Sequence, residues 1–288
     1  MKCVRKYYLF IITLFLFQNL SYSQVPYVPT PYDVVEGMLK LANVTENDVV
    51  YDLGCGDGRI VVTAASKYGA HGLGVDNNPV RVKESRENAE QNGVKDRVQI
   101  LEQNLFKTDL SKATVVTLYL LSDINIKLRP KLFDELRPGT RVVSNSFDMD
   151  EWQPDQMNLV SGRTLYMWKI PANTSGRWEW IIPNGSSNEH YVLTMNQKFQ
   201  KVSGTLDIGK ETYQIMNPRL DGDTLEFSIL RNNGDKQIKH TFKGKVKENM
   251  FQATLDRQDD NLLAFTAKRR VGTMKPLDPA LVRKNGFK

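Results

Sequence analysis

The run Val49-Val50-Tyr51-Asp52-Leu53-Gly54-Cys55-Gly56-Asp57-Gly58-Arg59-Ile60-Val61 constrains this chain more than any other stretch. An apolar strand ends in Asp-x-Gly-x-Gly-x-Gly and then enters a helix. Glycines at alternate positions let the main chain turn sharply and approach a ligand that a Cβ would push away. A dinucleotide fingerprint needs Gly-x-Gly-x-x-Gly, and counted from Gly54 its third glycine would fall where Arg59 stands. One βα unit later, Gly72-Leu73-Gly74-Val75-Asp76-Asn77-Asn78-Pro79 again ends an apolar strand in an acid. A carboxylate at Asp76 is placed to accept both hydroxyls of a ribose. NAD enzymes use an acid at a similar place. Asp76 therefore argues for an adenosine-type ligand, and the glycine spacing chooses the cofactor.

The set Asp52, Gly54, Gly56, Gly58 and Asp76 resembles the cofactor loop of class I S-adenosylmethionine (SAM) methyltransferases. That resemblance implies SAM as cofactor, with Asp52 near the methionine ammonium and the backbone of Gly54, Cys55, Gly56 and Gly58 around it. It places Asp76 and Asn77 at the ribose. It places Asn104 where the family usually has an Asp that accepts from the adenine amino group. An Asn carbonyl accepts the same bond. Leu105 or Phe106 would pack on the adenine face. Cys55 is small enough for the loop and is not read as a nucleophile. Strand four, expected over 114–121, carries Tyr119 toward the transferring methyl. No Asn/Asp-Pro-Pro-aromatic motif stands there, which argues against nucleic-acid methylation.

A narrower resemblance runs across residues 25 to 170. Pro26-Tyr27-Val28-Pro29-Thr30-Pro31, Leu118-Tyr119-Leu120-Leu121, Lys127-Leu128-Arg129-Pro130-Lys131-Leu132 and Gly139-Thr140-Arg141-Val142-Val143-Ser144 are similar to the lysine methyltransferases of ATP synthase c-subunits and their bacterial relatives. The resemblance implies Nε-methylation of a protein lysine. It gives Tyr27 and Pro29 a part in closing the cofactor pocket. Tyr119 is the candidate catalytic residue, orienting the amine. Two competing readings are an exported, non-catalytic SAM- or nucleoside-binding protein and an NAD-dependent oxidoreductase. The second lacks a catalytic His or a Tyr-x-x-x-Lys.

Residues 1–23 read as a secretory signal peptide: Lys2, Arg5 and Lys6, an apolar run from Tyr7 to Phe17, then Ser21-Tyr22-Ser23. Export to a periplasmic or extracellular location is expected, with no stable membrane span once the leader is removed. Removal takes three positive charges from a chain of net charge +6, leaving +3 (6 minus 3). That mild balance does not call for a nucleic-acid partner; a protein substrate is the expected one. Only Cys55 survives processing, so no intrachain disulfide forms. His71, His190 and His240 have no ligand spacing, and no metal site is expected.

Strands and helices alternate up to about residue 170, which implies a mostly parallel sheet covered on both faces. The expected fold is α/β: a Rossmann-like class I methyltransferase sheet over 24–173, followed by a smaller antiparallel all-β domain over 176–272 and a tail over 273–288. A helix is expected over 125–136 and a last strand of the first unit over 163–170. Beyond 190, alternating apolar and polar residues separated by Ile208-Gly209, Asp221-Gly222 and Asn233-Gly234 predict hairpins. A barrel or half-barrel of six to eight strands is expected, without site chemistry. A chain ending near Asn173 is expected to retain cofactor binding.

Overall fold

A computed structural model describes residues 27–278 apart from 185–186, 235 and 259–261. The signal-peptide reading at 1–23 lies outside the described residues. After an entry segment, α1 (Tyr32–Leu41), β1 (Val49–Leu53), α2 (Arg59–Tyr68), β2 (His71–Asp76), α3 (Pro79–Gln91) and β3 (Val98–Glu102) follow in order. They continue with β4 (Val115–Leu118), α4 (Ser122–Glu135), β5 (Arg141–Asn145) and the hairpin β6 (Gln156–Val160) and β7 (Arg163–Lys169). The strands form one sheet in the order β3-β2-β1-β4-β5-β7-β6. β1 to β5 are parallel, and the hairpin adds two antiparallel strands at the edge.

The central parallel strands β1 and β4 are buried runs, as strands covered on both faces must be. α1, α2 and α3 seal one face around Val35, Met38, Val61, Val82 and Ile100. α4 seals the other around Leu53, Leu118, Leu128 and Leu132. α3 begins with Pro79 in its first turn and with the Asn78 side chain accepting from Val80 N. The strand order reverses between β1 and β4, and the carboxyl ends flanking that point form the crevice where open α/β sheets bind ligands.

The α/β-then-β class expected from sequence is the one observed. Several boundaries differ. Strand four ends at Leu118, and the helix after it starts at Ser122 instead of Asn125. Leu121 O accepts from both Ile124 N and Asn125 N, so the chain passes from strand end into helix within three residues. β6 had no sequence signal, because an exposed edge strand needs no inward alternation. Its Ser161-Gly162 turn has positive φ at both residues (49° and 76°), which suits a tight hairpin.

Among the described residues the second sheet has nine strands, not six to eight: β8 (Gly176–Asn184), β9 (Ser187–Lys198), β10 (Lys201–Ile208), β11 (Glu211–Gln214), β12 (Met216–Asp221), β13 (Thr224–Asn233), β14 (Lys236–Lys247), β15 (Met250–Asp256) and β16 (Leu262–Arg269). All described pairs are antiparallel, and β8, β11 and β12 are the strands the sequence reading passed over. Trp178, Trp180 and Ile182 on β8 point inward at period two. Trp180 stacks between Phe265 (4.8 Å) and Tyr191 (5.2 Å), while Phe227 stacks on Phe242 (4.8 Å). Ile215 N donates to Gly204 O at 3.1 Å, which folds the start of β12 back beside β10. A Cβ on Gly204 would lie 2.1 Å from Thr194 O, so this curl requires glycine.

The two sheets share a core. Phe199, after β9, stacks on Phe133 of α4 at 5.8 Å, and Trp152 packs on Phe133 at 4.5 Å. Arg129 of α4 makes a bidentate ion pair with Asp278 (2.7 and 3.1 Å), and the two side chains are 6% and 0% exposed. Residues 273–278, read from sequence as the start of a tail, therefore run back onto α4, and Leu277 O accepts from Phe199 N.

Candidate active site

Asp52 stands at the carboxyl end of β1, opposite Thr117 of β4, and is 3% exposed. Thr117 Oγ1 donates to Asp52 Oδ1 at 2.8 Å. Burial pushes the Asp52 carboxyl up to about 7; the Thr117 bond opposes this, while Asp76 and Asp57 add to it. Among the described residues no cation pairs with it. A buried carboxylate with one hydroxyl donor and no cation beside it has the chemistry to receive an ammonium.

The loop after β1 winds tightly over the sheet end. Gly54 N and Cys55 N both donate to Val75 O (2.8 and 2.9 Å), and Gly58 N donates to Cys55 O (2.9 Å). Gly54, Gly56 and Gly58 have φ of 84°, 55° and 74°, the left-handed region that a side chain penalises. A Cβ on Gly58 would meet Ser85 of α3 at 2.7 Å, so this glycine lets α2 and α3 approach. Cys55 is buried, and burial pushes its thiol well above the usual range, which makes it inert.

The entry segment lies across this loop. Asp57 N donates to the Tyr27 hydroxyl at 3.3 Å, and the Arg81 guanidinium sits 4.4 Å from the Tyr27 ring centroid. Arg59 Nη1 donates to Thr30 O at 2.8 Å and its remaining nitrogens chelate Asp57. Burial opposes the charge on Asp57, but the Arg59 bonds prevail and hold the carboxyl below the usual range. Burial and Asp57 raise the Tyr27 phenol.

Between segment and loop opens a cavity of about 360 Å³. Its inner end is lined by Asp52, Gly54 and Cys55, and Tyr27, Val28, Pro29 and Thr30 roof it. The other end is lined by Tyr119, Leu120, Leu121, Ile124 and Phe147. Arg163 Nη1 donates to the Tyr119 hydroxyl at 2.5 Å. Asn125 Nδ2 donates to the carbonyls of Phe147 and Asp148 (3.2 and 3.3 Å), pinning the loop that bears Phe147. This end offers apolar surface and one phenol. Among the described residues the lining carboxylates are Asp52 and Asp57, and both belong to the loop side.

The sequence reading and the geometry overlap in part. Tyr27, Asp52, Gly54, Cys55 and Tyr119 line the cavity; Gly56 and Gly58 lie in the loop beside it. Asp76, Asn77, Asn104 and Leu105 do not line it. Asp76 accepts from Gly56 N through Oδ2 and from Asn78 N through Oδ1, both at 2.9 Å, so it ties the two strand ends together. Asn104 Oδ1 accepts from Phe106 N at 2.9 Å and caps the short turn Leu105–Lys107. Leu105 is half-buried against the α4-side core, and Phe106 is exposed. The reading missed Thr117, Arg59, Arg81, Arg163, Leu120, Leu121, Ile124 and Phe147. For Thr117 a signal existed: it is the hydroxyl in an otherwise apolar buried strand, Val115-Val116-Thr117-Leu118.

A cradle of left-handed glycines, a buried carboxylate awaiting a cation and a second carboxylate at the next strand end are what a class I SAM-dependent methyltransferase offers its cofactor. Residues 52–156 match the ANTKMT methyltransferase domain. A protein-lysine N-methyltransferase of Saccharolobus islandicus is 48% identical over 157 residues, covering 52% of this chain and 98% of that protein. The ATP synthase c-subunit lysine N-methyltransferase of Homo sapiens is 30% identical over 165 residues, covering 57% and 69%. A solved structure described as an RNA methyltransferase from Salinibacter ruber, bound to S-adenosyl-L-homocysteine, is 54% identical with a TM-score of 0.49, covering 49% of this chain and 93% of that one. The chain belongs to this family of SAM-dependent methyltransferases, whose members include protein-lysine N-methyltransferases. It is an enzyme of the transferase class with SAM as cofactor, and neither the oxidoreductase nor the non-catalytic reading gains support from these relatives. Among the described residues no cluster fits a metal ion, and no helix is long and apolar enough to cross a membrane.

Gly56→Val is expected to abolish SAM binding while the far-ultraviolet circular dichroism stays native-like. A Cβ there would lie 2.4 Å from Tyr27 Cε2, on a backbone a β-branched residue resists. Retained affinity would show that the loop does not face the cofactor. Asp76→Ala is expected to weaken SAM binding by about 1–3 kcal/mol, because it leaves Gly56 N and Asn78 N without their acceptor and loosens the loop. Calorimetric titration measures both.

Proposed function

We propose that this chain transfers the methyl group of SAM to the ε-amine of a protein lysine by in-line displacement. In this reading Asp52 holds the methionine ammonium, Asp76 and Asn77 the ribose, and Asn104 and Leu105 the adenine. The leader at 1–23 directs the chain out of the cytoplasm, and the β-rich unit over 176–272 carries no chemistry of the transfer. The observation that carries the proposal is the acceptor end of the cavity. Leu120, Leu121, Ile124, Phe147 and the Tyr119 phenol line it, an apolar surface suited to an alkyl amine and poor in groups that would favour an ammonium. Desolvation there favours the neutral amine, the form able to attack. The protein-lysine relatives support the same acceptor.

An unperturbed lysine amine has a pKa near 10.4, so the rate is expected to rise with pH across the neutral range. Radiolabelled SAM incubated with envelope extract of the source cell tests the proposal. Label on lysine, located by mass spectrometry, supports it; label on carboxylates, small molecules or nucleic acid replaces the substrate. Tyr119→Phe removes the phenol oxygen and is expected to slow transfer while leaving SAM affinity unchanged.

A further inference from the structure

The outer face of the second sheet carries positive charge, with a notch set into it. On β14, Phe242 and Val246 take inner positions, so alternation turns Lys239, Thr241, Lys243, Lys245 and Lys247 outward. Lys243 is paired with Glu226 at 2.9 Å and Lys245 with Asp223 at 3.0 Å. Lys239, Lys247 and the neighbouring Arg219 of β12 make no ion pair among the described residues, although Arg219 and Lys239 both act on Glu226 through space.

The notch arises from the backbone. Met216 pairs with Ser228 and Arg219 with Glu226, so the β12–β13 ladder gains one residue on the β12 side. Asn217 takes a φ of 46° at this bulge. Bulges re-aim side chains and open a ladder locally. The result is a cavity of about 210 Å³ bounded by Asn217, Arg219, Glu226, Ser228, Lys239 and Thr241. Ser228 Oγ is turned to Met216 O (3.3 Å), and Glu226 is occupied by Lys243. The Arg219 guanidinium, the Lys239 ammonium, the Asn217 amide and the Thr241 hydroxyl make no side-chain hydrogen bond among the described residues. Four free donors, two of them charged, thus border one cavity, and the carboxylate in its lining, Glu226, is neutralised from outside.

We infer that this notch binds a phosphoryl group, free or carried on a lipid headgroup. A guanidinium fork and an ammonium complement a tetrahedral oxyanion with several acceptor oxygens. The surplus charge of Lys247 and its neighbours raises the local anion concentration at the mouth. The inference is independent of the methyltransferase site, which lies on the other sheet.

The full chain, freed of any leader, is titrated with inorganic phosphate and with glycerol 3-phosphate by calorimetry at low salt. Flotation with vesicles of phosphatidic acid, against phosphatidylcholine, is run in parallel. Saturable phosphate binding is expected. Arg219→Gln and Lys239→Gln are each expected to weaken it about tenfold, the effect of losing a charge-assisted bond, and Lys247→Gln by less than about twofold. Flotation lost in Arg219→Gln assigns the phosphoryl group to a headgroup; binding of the soluble probes without flotation assigns it to a free metabolite. Either result upholds the site. No saturable binding by the parent, or equal weakening by Lys247→Gln, overturns it in favour of a diffuse basic surface.

Discussion

Asp278→Ala unfolds at a markedly lower denaturant concentration than the parent, with a stability loss of about 3–5 kcal/mol. The substitution strands the Arg129 guanidinium, 6% exposed, without its counter-charge. Arg129 keeps one bond, from Nη1 to Met149 O at 2.9 Å, and its place 5.1 Å from the Phe199 ring. Neither replaces a carboxylate. α4 is poorly placed to absorb the loss, because Pro130 inside it already removes one backbone hydrogen bond. The double variant Arg129→Met with Asp278→Leu is expected to recover most of the stability, since a buried ion pair replaced by apolar volume is often neutral. Chemical denaturation measures both. A loss under about 1 kcal/mol for Asp278→Ala would mean that water reaches Arg129 in solution.

The second large effect concerns Asp52, whose two consequences have opposite sign. Its folded-state pKa, about 7, lies above its ordinary value, so the folded chain holds a proton that the unfolded chain releases between about pH 4 and 7. Stability from this group is complete at low pH and is lost as pH rises through 7. Asp52→Asn removes that loss, and at pH 8 the ligand-free variant is expected to be more stable by on the order of 2–4 kcal/mol. In the cofactor placement proposed above, the same substitution removes the charge facing the ammonium, and affinity should fall by roughly 10- to 100-fold. In the parent, SAM affinity should increase between pH 5.5 and 7.5, where the α-ammonium stays protonated and Asp52 ionises. The variant should show a flat profile. Thermal melts at pH 5 and 8, with titrations over the same range, decide it. A parent profile as flat as that of the variant would place the ammonium elsewhere.

What was legible in the sequence follows from how local each signal is. The glycine loop was readable because three left-handed residues at alternate positions leave little choice of side chain, and Asp52 because it ends an apolar strand. The acceptor end was not. Leu120, Leu121, Ile124 and Phe147 converge only because β4 and β5 lie side by side, and a leucine facing a cavity reads like a leucine facing a core. Arg163 reaches Tyr119 across 44 residues of chain, a partnership that no spacing rule carries. β12 was hidden by Pro218, which an edge strand tolerates and a central one does not. The union of the two sheets was hidden too, since a shift in composition near residue 173 says nothing about whether the surfaces on either side are wet.

That seam has a practical meaning for how the molecule comes apart. Ile170, Ala172, Thr174 and Ser175 are each at most 3% exposed. Ala172 N donates to Gly222 O at 2.7 Å, and the Trp178 indole reaches back to Thr174 O at 2.8 Å. A protease finds no purchase where the composition changes, and mild digestion should spare this stretch. Cutting the chain by design after Asn173 would strip Phe199, Leu277 and Asp278 from α4 and leave Trp152 and Phe133 facing water. The fragment is expected to aggregate, so retention of cofactor binding, anticipated for it from sequence, does not follow. Calorimetry of the whole chain should record one melting transition, with the van't Hoff enthalpy equal to the measured heat. The two sheets then persist or fail together, as a single unit of inheritance for any mutation that touches the seam.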